Sequence, residues 1–171
     1  MLHNSRMSAR RGPARGSLSR EVPNREIVER RTFAGIPRES LFERLLEVER
    51  FPEWGYGLRR VRLHPAPSGI RGLQPGARIE FGLRAAGVDH RVSSLVTAVE
   101  PPRLIEWRYV TGAAGGGGWL LEEAGDLVRM TLSTDYSIDP PWLDRLAHKP
   151  FFRRLVSELL SRSLQRLEDE L

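Results

Sequence analysis

VTAVEPPRLIEWRY, residues 96–109, holds the end of one strand, a turn and the start of another. Pro101 and Pro102 lack a backbone N–H and cannot sit inside a hydrogen-bonded ladder, so strand pairing has to stop there. Beyond them Ile105, Trp107 and Tyr109 alternate with Glu106 and Arg108. A period of two sends successive side chains to opposite faces of a sheet. One face is therefore wet and the other covered, as in an antiparallel sheet packed on one side.

The same reading extends outward in both directions. In DLVRMTLSTDYSI, residues 126–138, Val128, Met130, Leu132 and Tyr136 oppose Arg129, Thr131, Ser133 and Asp135. LRRVRLHP (58–65), ARIEFGLRAAG (77–87), VDHRVSSLVTAVEPP (88–102) and GGGWLLEEAG (116–125) are further short extended segments divided by turn residues, among them Gly125 and Asp126. EIVERRTFAG (26–35) alternates in part, with Ile27, Glu29 and Arg31 on one face and Val28, Arg30 and Thr32 on the other. The spacing predicts an antiparallel meander of about seven strands. Gly115 to Gly118 lack the Gly-Lys-Ser/Thr ending of a phosphate loop and precede a strand rather than a helix, so they read as a flexible hairpin turn.

Helical periodicity occurs at two places. IPRESLFERLLEV (36–48) has Pro37 in a first-turn position, Glu39 near the positive end of the dipole, and Leu41, Phe42, Leu45, Leu46 and Val48 at spacings of three and four. Pro52 is expected to end that helix. Phe51 and Trp54 then flank the proline, either as plugs of the core or as rings facing a ligand. PPWLDRLAHKP (140–150) predicts a short turn. After Pro150, the apolar residues Phe151, Phe152, Leu155, Val156, Leu159, Leu160, Leu164 and Leu167 form one stripe. A helix of about 20 residues reaches roughly 30 Å, enough to cross a sheet.

Composition excludes several classes. The 171-residue chain has no cysteine, which removes disulfides, thiol nucleophiles and thiolate metal sites. No apolar run approaches a membrane span and no apolar segment follows the basic start, so a cytoplasmic protein is expected. The net charge of +5 lies in residues 1–25, where six arginines stand against Glu21 alone (6 − 1 = +5). Residues 26–171 are neutral overall, so no nucleic acid is expected to bind the folded part. The first 25 residues, rich in Arg, Ser, Gly and Pro, are expected to be a disordered tail, with Met7 an alternative start. A transit peptide, a nucleic-acid arm and an anionic-membrane contact are the functional readings of that tail. Arginine almost replaces lysine, of which Lys149 is the sole example, as in GC-rich bacterial genomes. His3, His64, His90 and His148 have no partners at metal-ligand spacing, and neither a metal nor a cofactor is expected. Arg59, Arg60, Arg62 and Arg71 read as a solvated face.

IPRESLFERLLEVERFPEW, LQPGARIEF, VTAVEPPRLIEWRY, GGWLLEE, DLVRMTLSTDYSI and the terminal helix, in that order, resemble the START-like or SRPBCC superfamily, nearest its polyketide cyclase/dehydrase and lipid-transport branch. The resemblance spans residues 26–169. It implies an α+β helix-grip fold, in which a curved antiparallel sheet wraps the C-terminal helix around a cavity for an apolar ligand. A carrier, sensor or accessory protein for a hydrophobic small molecule is then the leading expectation. A cyclase or dehydratase is the alternative, and an interaction or regulatory module a third.

Strand parity nominates the lining: Trp54, Phe81, His90, Trp107, Tyr109, Trp119, Met130, Leu132 and Tyr136, closed by Phe152, Val156 and Leu159 from the helix. Thr134 and Ser94 share that inner face. His90 with Tyr109 or Tyr136 would pair a base with an oxyanion donor for enolate chemistry. The other reading makes His90 a satisfied rim residue and the hydroxyls anchors for the ligand's polar end.

Overall fold

A computed structural model describes residues 26–69, 71–85, 88–137 and 149–171. The N-terminal tail and most of the PPWLDRLAHKP segment lie outside these residues. Seven strands form one antiparallel sheet: β1 (Ile27–Ala34), β2 (Leu58–His64), β3 (Arg78–Ala85), β4 (Val88–Glu100), β5 (Leu104–Thr111), β6 (Ala114–Ala124) and β7 (Leu127–Ser137). Their spatial order is β1-β7-β6-β5-β4-β3-β2. Between β1 and β2 come α1 (Arg38–Leu46), a 3-10 turn (Val48–Arg50) and α2 (Phe51–Trp54). The chain ends in α3 (Pro150–Glu170). Among the described residues no helix is long and apolar enough to cross a membrane.

The ladders confirm the faces read from alternation. Val96 lies opposite Trp107, Ile105 opposite Trp119 and Trp119 opposite Leu132, so these residues share one face. That concave face grips α3, whose main backbone contacts are with β1 and α2. Two charged residues of β1 also point to this side. Ser157 donates to Glu29, while Arg31 donates to Gln165 and Glu168, so both strand charges are satisfied by the helix.

Two local expectations are corrected. Pro52 does not terminate the first helix: α1 ends at Leu46, and Pro52 instead occupies the first turn of α2, where a missing N–H costs nothing. The glycines at 115–118 are not a hairpin turn but the interior of β6, opposite β7 from Tyr136 to Ser133. Close approach explains the residue type. A Cβ on Gly117 would lie 2.5 Å from the Ser133 carbonyl oxygen and 2.7 Å from the Trp107 ring, and one on Gly116 would lie 2.5 Å from the Trp107 carbonyl oxygen.

The end of α3 is clamped to the α2 corner. The Tyr56 N–H donates to Ser163 Oγ at 2.8 Å, and Arg166 donates to the Glu53 carbonyl at 2.5 Å. Arg44 reaches Glu47 at 3.1 Å and both Glu53 and Glu170 at 2.8 Å. Hydrogen bonds from Arg50 and then Arg44 hold the Glu53 carboxyl at about 2, below its ordinary 4.5. A depressed carboxyl stabilises the fold above its unfolded value and loses that effect as pH falls through the folded one. Wild type should therefore be more stable than Glu53→Gln near neutrality, and the difference should close between pH 4.5 and about 2. Parallel thermal melts across that window check it. A constant difference would remove Glu53 from the acid response.

Candidate functional site

Among the described residues the concave face divides into a sealed half and an open half. At the sealed end, beside α1, α2 and the last turns of α3, Trp54, Leu121, Met130, Leu132, Leu164 and Leu167 are all buried. An aromatic chain runs through it. Phe51 and Trp54 meet at a tilt with 4.7 Å between ring centres, Trp54 meets Trp119 edge-on at 6.0 Å, and Trp119 meets Trp107 at 6.3 Å.

Beyond Trp107 the same face is apolar but half-exposed. Phe81, Leu83, Val92, Trp107, Tyr109 and Tyr136 are intermediate in burial, as are Phe152, Leu155, Val156 and Leu159 on the facing half of α3. Apolar surface on both walls is therefore left partly uncovered, although packed cores normally bury such side chains. Tyr136 and Phe152 mark where helix and sheet meet, with ring centres 6.3 Å apart.

The glycine run shapes the floor. With no side chain at Gly117, the Trp107 ring lies against β6. Tyr109 on β5 reaches across β6 to Thr134 on β7, with 2.7 Å between the hydroxyls. Thr134 in turn donates to the Gly116 carbonyl at 3.1 Å, which leaves the Tyr109 hydroxyl as donor to Thr134. Ser94 is fully buried opposite Tyr109, and its hydroxyl has no hydrogen-bond partner among the described residues. These groups are uncharged alcohols and phenols, suited to a neutral oxygen.

The predicted lining residues thus share one face but not one environment. Trp54, Trp119, Met130 and Leu132 belong to the closed core cluster; Phe81 and Trp107 pack against its edge and, with Tyr109, Tyr136, Phe152, Val156 and Leu159, stay partly exposed in the open half. His90 lies opposite Leu83 near the end of the β3–β4 hairpin and is exposed. No hydrogen bond among the described residues joins it to Tyr109. Among these residues no group of three potential metal ligands occurs. Arg59, Arg60, Arg62 and Arg71 are exposed, as a solvated face requires.

Sequence reading missed a second concavity. On the convex side, where Gly118 adds no side chain, a depression of about 310 Å³ is bordered by Val28, Arg30, Glu106, Leu120, Thr131 and Ser133. Only the glycine run hinted at it, and reading that run as a turn concealed it.

Comparison with known structures places this architecture. A crystal structure from Thermus thermophilus superposes with a TM-score of 0.69 at 18% identity, covering 84% of this chain and 94% of its own. A START superfamily protein from Mycobacterium smegmatis gives 0.69 at 13% identity, covering 85% and 95%. The aromatase/cyclase of Streptomyces sp. R1128 gives 0.65 at 15% identity, covering 86% and 96%. At such identities the likeness is one of fold. No curated protein matches the chain significantly. The model of the family described as polyketide cyclase / dehydrase and lipid transport matches residues 25–171, nearly the whole chain, and to that family the protein belongs.

Proposed function

We propose that the protein binds a hydrophobic small molecule between the open half of the concave face and the first half of α3, as a carrier, sensor or accessory protein. One observation carries this reading: apolar side chains on two facing walls are half-exposed, while the other end of the same face is closed. Filling that space would remove the remaining apolar area from water, at about 25 cal/mol per Å². Ser94, whose hydroxyl is unpartnered among the described residues, is the donor for a neutral oxygen on the ligand, while Tyr109 and Thr134, whose own protons are engaged, can accept from a ligand hydroxyl. Residues 26–171 form the binding unit, and a cytoplasmic setting belongs to the same proposal.

Catalysis is less well supported. Enolate chemistry needs a base beside an oxyanion donor in a dry pocket. His90 is exposed, and the Tyr109 hydroxyl is already engaged with Thr134.

Mass spectrometry of small molecules extracted from natively purified protein tests the binding reading. An apolar compound bearing a neutral oxygen is expected at near-stoichiometric yield. Trp107→Ala should lower its retention about tenfold or more, since one large apolar contact is worth about 1.5–3 kcal/mol. No retained compound, together with unchanged uptake of an apolar dye by Trp107→Ala, would remove the open half as a ligand site.

A further inference from the structure

Phe151 belongs to the apolar stripe of the terminal helix, yet it is 79% exposed, more than any other large hydrophobic side chain described. Its immediate neighbours explain why it stays out. Phe152 turns inward to Tyr136, and the successive position on a helix points away from that contact. Around Phe151 the chain is basic: Lys149, Arg153 and Arg154 are exposed, and no carboxylate occurs from residue 149 to residue 157. Arg154 stands three residues after Phe151, on the same side of the helix.

The sealed end of the molecule has the opposite character. There Arg44 and Arg50 are matched by Glu47, Glu53 and Glu170. Among the described residues, Lys149 and Arg154 make no ion pair. The antiparallel order also brings the end of β7 and the β3–β4 hairpin to the side where α3 begins, and that hairpin exposes Arg84 and Arg91 against Asp89. An apolar tip and two cations without an ion pair among the described residues, Lys149 and Arg154, therefore share the end of the molecule where the open half lies.

We propose that this end, with Phe151 as its apolar tip, docks on an anionic lipid surface. A ring of this kind settles at the boundary between headgroups and acyl chains, while surrounding Lys and Arg meet lipid phosphates. A protein partner would call for a broader, shaped apolar patch, whereas one ring among cations fits a fluid, negatively charged surface.

Sedimentation of the full chain with phosphatidylcholine vesicles, with and without phosphatidylserine, tests the assignment. Binding is expected to the anionic vesicles only. Phe151→Ala should weaken it about tenfold, the value of one buried aromatic ring. Arg154→Glu, which reverses a charge, should weaken it at least as much at about fivefold per charge. Both positions are exposed, so circular dichroism of the variants should match wild type. Because the chain lacks cysteine, Phe151→Cys provides a single attachment point for an environment-sensitive fluorophore, whose emission should shift to the blue on anionic vesicles. If Phe151→Ala binds these vesicles as well as wild type, the arginines of residues 1–25 carry the attraction and the assignment is overturned. It is equally overturned if Phe151→Ala only abolishes self-association of the protein in the absence of lipid.

Discussion

Trp54→Ala is expected to lose about 3–5 kcal/mol of folding stability in urea denaturation, the range for truncating a fully buried large aromatic. Trp54 is 2% exposed and lies between Phe51 and Trp119, so its removal leaves a void that α2, a single turn held to α3, can close only by giving up its own contacts. Its indole N–H has no hydrogen-bond partner among the described residues, so packing alone accounts for the loss. Retention of a copurified ligand by the protein that remains folded should change little. The reverse pattern, a stability loss below about 1.5 kcal/mol with a marked fall in retention, would make Trp54 a ligand-facing ring. Trp107→Ala supplies the contrast, because Trp107 is half-exposed and its loss should fall more on binding than on stability.

Gly117→Ala is expected to destabilise the protein by about 1–3 kcal/mol, the usual cost of forcing atoms into a filled space. The new Cβ would meet the Ser133 carbonyl oxygen at 2.5 Å and the Trp107 ring at 2.7 Å, and a backbone oxygen held in the ladder cannot step aside. The direction of the effect is informative. In a flexible turn with compatible backbone angles, glycine to alanine stabilises by about 0.4–1 kcal/mol through the unfolded chain. Denaturation curves therefore separate the strand interior from a turn by sign. Displacement of the Trp107 ring should also alter near-ultraviolet circular dichroism and lower ligand retention. A stabilised variant with an unchanged spectrum would contradict the close contact between β5 and β6.

Strand faces were legible in the sequence because side-chain alternation is a local property of an extended backbone. Ile105, Trp107 and Tyr109 and their counterparts on β7 fall on the concave side as their parity requires. The seven extended segments, the long terminal helix and the order joining them were legible for the same reason. Together they carried the resemblance to a helix-grip fold. The inner hydroxyls of Tyr109 and Thr134 followed from parity as well, although their 2.7 Å pairing did not.

Tertiary structure decided what depends on distant partners. Four successive glycines have no local pattern to distinguish a turn from a strand, and only Ile105 and Trp107 on β5 and Ser133 and Asp135 on β7 supply the crowding that keeps side chains out. His90 has the parity of an inner residue, but its place near a hairpin end leaves it in solvent. The apolar stripe of α3 reads as one continuous surface from Phe151 to Leu167, yet its last turns are buried while its first half is only partly covered. Periodicity is set by neighbours three or four positions away, whereas burial depends on whether another element reaches that surface. Here α1, α2 and the clamp at Glu53 and Ser163 close one end of the grip, and among the described residues no element closes the other.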